Sequence, residues 1–598
     1  VRGDAHAPAG TVPNPRDTAP APVVVVSALF ELVGVSWIYR WRFLFARTCS
    51  IGCAGAATEG GCVRDHAPGG IPMIRWLVIA GAWVLGSASL PLVFFVSAWW
   101  LLVTVIVAAI AMVGAWDLLQ RRHSVLRNYP VIGHARFMLE RIRPEIQQYF
   151  IERSTDGTPF DRDTRTTVYE RAKGTKDVEP FGTERDVTAT GYEFVTHSLR
   201  AHPASDDTPH VRIGGPQCTM GYDIALYNVS AMSFGALSGN AIEALNGGAA
   251  RGGFAHDTGE GGISPYHLEH GGDLIWEIGS GYFGCRDADG HFDPGEFAAK
   301  AALPQVKCIS IKLSQGAKPG LGGVLPAAKV SPEIARTRGV PVGQSVISPP
   351  SHSAFCTPLE LIDFITTLRA LSGGKPIGFK LCVGSRTEFL AICKAMIETG
   401  ITPDFIIVDG SEGGTGAAPL EFEDHVGMPL TEGLMLVHNA LVGTGLRDRI
   451  KIGASGKVAN GIDIIKRLIQ GADFTLAARA MMFAVGCIQA QRCHTNRCPV
   501  GVTTQDARRA RALNVPDKTT RVYNLQRSTV ASAQQILASM GLDDFCDLDP
   551  SMLNRRIQGH RTMTYADLHE WLQPGDLLTE DPPTSWLRDW TNADSSRF

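Results

Sequence analysis

The hydrophobic and polar positions divide the chain into unlike regions. Residues 76 to 116 contain no Asp, Glu, Lys or Arg. A membrane-spanning helix takes roughly twenty apolar residues, so this run predicts two spans in a hairpin over 73 to 117, with its turn between Ser87 and Pro91. Arg75 precedes the run and Arg121, Arg122 and Arg127 follow it, which puts both ends of the hairpin on the cytoplasmic side. A buried helical hairpin of a soluble domain is the competing reading, although soluble helices seldom run so long without a charge. From about residue 213 the pattern changes to short apolar runs alternating with helical periods. Ile224-Ala-Leu-Tyr-Asn-Val-Ser, Ile309-Ser-Ile, Phe379-Lys-Leu, Phe405-Ile-Ile-Val and residues 450 to 456 and 473 to 480 read as strands. Residues 358 to 371, 386 to 400, 431 to 445 and 460 to 470 read as helices. This alternation predicts an α/β fold, a parallel (β/α)8 TIM barrel over residues 213 to 510.

Three regions surround these. Residues 1 to 72 are rich in Pro, Ala, Gly and Arg, and Met73 opens a stretch that reads like the start of a membrane-anchored protein, so 1 to 72 are expected to be a misassigned extension. Cys49, Cys53 and Cys62 lie there without a matching fourth ligand. Residues 118 to 212 form a polar bridge whose Arg141, Arg143, Arg153, Arg162 and Arg165 suit either a solvated face or anionic lipid headgroups. Residues 511 to 598 read as a helical, acid-rich tail.

Composition narrows the function. A chain of 598 residues with 44% hydrophobic content is long enough for several domains, and a net charge of −3 argues against nucleic acid as a partner. The 13 cysteines are irregularly spaced, as in a reduced cytoplasmic protein. Three of them stand out in Cys487-Ile-Gln-Ala-Gln-Arg-Cys493-His-Thr-Asn-Arg-Cys498-Pro499. Three close thiolates with a following proline suit an iron–sulfur cluster that lacks one iron. A zinc site would need His494, which adjoins Cys493 and is poorly placed, and buried structural cysteines are the plain alternative. Just upstream, Ile450-Lys-Ile-Gly-Ala-Ser455-Gly456 and Asp473-Phe-Thr-Leu-Ala-Ala478-Arg479 end strands in small residues, where the last two loops of a barrel often hold phosphate.

With the stretch from Gly471 through Cys487, Cys493 and Cys498 to Gln505, the chain resembles the FMN and [3Fe-4S] synthase domain of glutamate synthase. Further turns carry the same resemblance in the same order. They are Ala231-Met232-Ser233-Phe-Gly, Asp257-Thr-Gly-Glu260-Gly-Gly, Lys312-Leu-Ser-Gln315-Gly-Ala-Lys318-Pro-Gly, Ser348-Pro-Pro-Ser-His352 and Asp409-Gly-Ser-Glu-Gly413-Gly414-Thr415-Gly-Ala. Leu321 and Val324 depart from the family's Glu and Gln, and Ser353 from its second histidine.

The resemblance implies FMN and a [3Fe-4S] cluster held by Cys487, Cys493 and Cys498. Ala231, Met232, Ser233, Asp409, Gly413, Gly414 and Thr415 then line the ring, and Ser455, Gly456, Lys457, Ala478 and Arg479 hold the phosphate. Lys380 lies beneath the flavin, or is a barrel-interior lysine paired with an acid. Lys312, Gln315, Lys318 and Lys329 bind a dicarboxylate, with Gln315 and Lys318 also counted as catalytic. Glu260 either moves the proton or only holds a loop amide.

The implied reaction is reductive amination of 2-oxoglutarate with ammonia to L-glutamate. The electron donor is then a ferredoxin, a reductase or the membrane quinone pool, and the catalytic domain faces the cytoplasm from the inner membrane. Neither the family's glutaminase domain nor its C-terminal β-helix is expected here. A related enzyme taking another amine, such as an N-methylglutamate synthase-like one, a dehydrogenase, and a non-enzymatic redox-sensing membrane protein remain alternatives.

Overall fold

In a computed structural model of the chain, residues 71–175, 178, 180–558 and 561–598 are described. The expectations for residues 1 to 70, including Cys49, Cys53 and Cys62, lie outside these residues. The chain forms two compact units, Val1–Phe137 and Met138–Phe598.

The described part of the first unit opens with a helical hairpin, α1 (Ile71–Phe95) and α2 (Trp100–Leu119), followed by the short helix Ser124–Asn128. The turn falls at residues 96–99 and not between Ser87 and Pro91, because α1 runs straight through Pro91. Small residues explain the continuity. Ser89 donates to the carbonyl of Gly86 at 2.9 Å and receives Thr104 of α2 at 3.0 Å, so the sequence there tightens a helix contact instead of breaking the chain. The outer faces are apolar, with Phe94, Phe95, Trp99 and Trp116 exposed. By length and composition α2 qualifies as a span, and Ala80–Phe95 is a shorter apolar helix. At the end of α2 the buried Asp117 accepts from the backbone of Val131 and pairs with His134 at 2.9 Å.

The second unit is organised by a closed barrel of eight parallel strands in chain order. They are β1 (Tyr227–Val229), β2 (His256–Asp257), β3 (Leu274–Ile278), β4 (Val306–Lys312), β5 (Ile377–Leu381), β6 (Phe405–Asp409), β7 (Lys451–Ser455) and β8 (Phe474–Ala477). The ring closes with Lys380 opposite both Lys312 and Ile407 and Ala477 of β8 returning to Val229 of β1, and its register shifts between Leu274 and Ile275 where β3 meets β4. Strands this apolar are buried on both faces, as a parallel sheet requires. The helices α3 (Gly239–Gly252), α4 (Pro294–Ala301), α5 (Pro358–Leu371), α6 (Arg386–Thr399), α7 (Leu430–Gly443), α8 (Gly461–Ile469) and α9 (Arg479–Ala484) cover it. Capping boxes at Thr357/Glu360 and Asn460/Asp463 start α5 and α8 where the periodicity places them. Beyond the barrel, α10 (Val515–Ser539) packs on α3, where a side chain at Gly248 would strike Val522. Leu553–Arg556 joins a three-stranded sheet with Glu193–Val195 and Thr562–Thr564.

Two apolar clusters divide the core. The larger fills the space between strands and helices. The smaller, of Ile213, Ile224, Ala255, Ile275, Cys308, Phe405, Ile407, Phe474 and Leu476, plugs the barrel toward its N-terminal end. Side chains alternate along a strand, so the residue two positions beyond an inward apolar one also points inward, nearer the C-terminal mouth. Those positions are Asp257 after Ala255, Glu277 after Ile275 and Asp409 after Ile407. The interior is therefore dry at its floor and charged at its mouth.

Candidate active site

Lys380 of β5 meets this ring of acids. Its ammonium lies 2.5 Å from Glu277, and both side chains are almost completely buried. Burial alone would lower the lysine's pKa, but Glu277, and then Asp257 and Asp409, hold it above its ordinary value. Burial and Glu277 push the Asp257 carboxyl up to about 8, and burial also raises Asp409. Asp257 accepts the N–H of Gly259 at 3.0 Å and Asp409 that of Gly316 at 3.1 Å. Of the two readings of Lys380, pairing with an acid is what the structure holds, and the pair sits in the mouth where ligands of this fold bind.

A second charged group stands on the neighbouring loops. Glu260, in the turn after β2, lies 3.1 Å from Lys312 at the end of β4 and accepts from Ser348 at 3.3 Å. Burial opposes its ionisation, but Lys312 and then Arg338 outweigh burial and hold its pKa below the usual value. Two glycines make room for the carboxylate, since a side chain at Gly279 or Gly323 would strike it. Gly259, at φ +63°, lets the same turn cross the backbone of Met232 and Ser233, where a Cβ would lie 2.7 Å from the Ser233 nitrogen. Arg338 ties these loops together by donating to Ser233 Oγ at 3.1 Å and to the Phe234 carbonyl at 3.0 Å. Lys318 is buried and donates to the Ala417 carbonyl at 3.0 Å; burial, and then Lys312, lower its pKa. The side-chain amide nitrogen of Gln315 is buried without a partner. Lys329 is set apart from this group. It donates to the Ala236 carbonyl at 3.0 Å, and burial lowers it to about 8 against the opposing pull of Cys493 and Cys498.

The expected phosphate residues also converge. Ser455 Oγ lies 2.9 Å from Ser230 Oγ, linking the ends of β7 and β1. Lys457, at φ +50°, lies near Arg479 at the start of α9, and burial and then Arg479 lower the Lys457 pKa. Arg479 donates to the Glu412 carbonyl at 2.8 Å, lies over the Phe160 ring and runs beside Gly414. The glycine turn after β6 reaches the thiol loop, with Cys493 Cβ 3.8 Å from where a Cβ on Gly416 would stand.

In that loop Cys487 accepts the N–H of Gln489 at 3.4 Å, and burial, with small contributions from Cys493 and Cys498, pushes its thiol up to about 12. Cys498 behaves oppositely. Burial raises it, but donors from Thr503, Val500 and Val502 outweigh burial and favour its thiolate. Among the described residues no three or more of His, Cys, Asp and Glu are grouped closely enough to hold a metal ion.

The sequence left Glu277 and Arg338 unmarked and gave Ser348 and His352 only as members of a turn, without partners; His352 bridges Tyr282 Oη at 3.1 Å and the Lys312 carbonyl at 2.9 Å. An acid inside the apolar run Leu-Ile-Trp-Glu-Ile was the available signal for Glu277, since a buried charge demands a partner. After β3, Gly279-Ser-Gly281-Tyr-Phe-Gly284 has dinucleotide-loop spacing, but no helix opens there and α4 starts only at Pro294.

A closed parallel barrel with two buried cation–carboxylate groups at its mouth and a three-thiol loop beside the last strands defines a TIM-barrel enzyme. The "Conserved region in glutamate synthase" profile matches residues 220–543. The glutamate synthase large subunit-like protein YerD of Bacillus subtilis (strain 168) is 37% identical over 503 residues, 77% of this chain and 92% of that one. The archaeal-type glutamate synthase [NADPH] of Thermotoga neapolitana is 34% identical over 52% of this chain, and the archaeal glutamate synthase [NADPH] of Methanocaldococcus jannaschii 33% over 53%. The match spans 59% of the length of each of these two relatives. The chain belongs to the glutamate synthase family and is a glutamate synthase-like oxidoreductase.

Proposed function

We propose that the protein makes L-glutamate by reductive amination of 2-oxoglutarate with ammonia, using FMN and a [3Fe-4S] cluster. The observation that carries this reading is the pairing of Glu260 with Lys312 beside Lys318, on the loops above the Lys380–Glu277 pair of the same barrel. The ammonium groups of Lys312 and Lys318 bind and orient the carboxylates of a keto acid by charge-assisted hydrogen bonds. Glu260, held ionised by Lys312, accepts a proton from the attacking amine and returns it to the departing hydroxyl. Ser348 holds that carboxylate by a hydrogen bond, and the charge of Arg338 favours its ionised form.

The residues present fit a flavin. The buried, unpartnered Gln315 nitrogen and Asp257 Oδ2 need a ligand, and the glycine turn after β6 lies against Arg479. Ser455, Gly456, Lys457, Ala478 and Arg479 would hold its phosphate, and Lys380 would balance negative charge on its ring. The thiol loop fits an iron–sulfur group in donor chemistry, with Cys487, Cys493 and Cys498 as ligands and backbone N–H groups favouring the Cys498 thiolate. When bound, FMN supplies hydride transfer and the cluster supplies single electrons. We propose further that the α1–α2 hairpin anchors the protein in the cytoplasmic membrane with the barrel on the cytoplasmic side.

One observation favours a second amine. Val324 pairs across two short strands with Ile347, and both are exposed one residue beyond Gly323 and Ser348, the neighbours of Glu260. An apolar flank at that place suits an alkylamine. The test is an anaerobic assay of detergent-purified protein with reduced ferredoxin and 2-oxoglutarate, offered ammonia or methylamine, with the product identified by mass. Glutamate from ammonia supports the first reading and N-methylglutamate the second. No amino acid product with any electron donor would overturn both.

A further inference from the structure

Lys380 stands among three carboxylates in the barrel mouth, Glu277 and Asp257 buried and Asp409 half-buried, and they are not equally provided for. Glu277 takes the ammonium, and Asp409 receives the Gly316 N–H and the field of Arg479. Asp257 is completely buried at the end of β2, receives one N–H on Oδ1, and leaves Oδ2 sealed from solvent with no partner. An ionised carboxylate there would bury a bare anionic oxygen beside the charge of Glu277, which costs several kcal/mol. A carboxylic acid avoids that cost and gains a donor.

We propose that Asp257 is an un-ionised acid in the resting protein, a positioning residue whose Oδ2–H donates a hydrogen bond to an acceptor atom of a planar heteroaromatic ligand seated in the barrel mouth. The inference rests on the reading that the mouth holds a flavin. The charged groups that face Asp257 are Glu277 from β3, Lys380 from β5 and Asp409 from β6. Burial and Glu277 favour the proton, and Lys380, already engaged by Glu277, only partly opposes it. A carboxylic acid kept neutral by a dry site so that it can donate is an established device in other enzymes. With the acid neutral, the mouth carries one ammonium against two possible carboxylates, and its fourth member is free to read the ligand.

The test uses full-length protein containing isotope-labelled aspartate, studied by infrared difference spectroscopy in H2O and D2O. At pH 7 the wild type should show the carbonyl stretch of a protonated aspartic acid, fading as pH rises through about 8, and Asp257→Asn should lack it. The asparagine amide can donate in place of the acid, so this variant should bind FMN as tightly as wild type at pH 7. Above pH 9 it should bind several-fold more tightly, having no proton to lose. Absence of the band at pH 7, its survival in the variant, or identical pH profiles of FMN affinity would overturn the proposal. If the variant does not fold, the wild-type titration decides, since a labelled aspartate band that does not fade between pH 7 and 9 contradicts it. A band that behaves as expected in protein that takes up no flavin overturns the ligand half through the cofactor reading while the proton stands.

Discussion

At the scale of single residues, the buried ion pair of Lys380 with Glu277 makes the sharpest prediction. Removing one member of such a pair leaves an uncompensated charge and costs about 3–5 kcal/mol, whereas removing both restores balance. Lys380→Ala should therefore lower Tm strongly, and Lys380→Met with Glu277→Gln should recover most of the loss in a thermal-melt cycle. Turnover should fall on the order of 10²–10³-fold in both, because the charge proposed to balance the flavin ring is gone in each. Wild-type turnover in either would remove the lysine from the chemistry.

His256 predicts a pH effect of known sign. Both its ring nitrogens are buried without partners, and burial lowers its pKa from 6.5 to about 3. The unfolded chain then binds the proton more readily than the folded one, so stability present above pH 6.5 is lost as pH falls toward 3. His256→Leu should flatten the acid limb of a Tm-against-pH curve. Lys380 itself was legible in the sequence as an inward lysine. Its partner was not, because Glu277 comes from a strand more than a hundred positions earlier and only the closed ring brings them together.

At the scale of elements, the close crossing of loops depends on glycine. Gly259→Ala would place a Cβ against the Ser233 backbone in a left-handed conformation, at a cost of about 1–3 kcal/mol. It should lower Tm and, by pushing apart the loops that carry Ser233 and Glu260, raise KM for the keto acid. Normal stability and KM would show that the loops do not need to touch. Six of the eight barrel strands and four of the seven covering helices were readable because apolar runs buried on both faces and capped helical periods are local signals, whereas the two-residue β2 and the acid-bearing β3 were not marked as strands. The hairpin turn was misplaced because Pro91 and the small residues before it look like a break in sequence, whereas in the fold they serve the contact of Ser89 with Thr104. Of the side chains that complete the site, Arg338 ends the short helix Pro332–Arg338 and Ser348 lies in a loop without periodicity, and nothing short of the folded chain places them on Ser233 and Glu260.

At the scale of the whole molecule, the division at Phe137 and Met138 separates an apolar hairpin from a barrel with its own core. A chain beginning at Met138 should fold, remain in the supernatant after a carbonate wash and keep its bound flavin. The full chain should stay with the membrane pellet. Full-length protein found in the supernatant would count against anchoring.

The carbonyl of Ala417, which receives the ammonium of Lys318, is one residue from Gly416, and Gly416 faces Cys493. On the proposed reading, damage to the thiol loop by oxygen has a short mechanical route to the lysines assigned to the organic acid. Cys493→Ala, or air exposure long enough to bleach the iron colour, should weaken 2-oxoglutarate binding measured calorimetrically without any electron donor present. If the proposed cluster and acid site are both present, the protein would let go of its carbon substrate when its wiring fails.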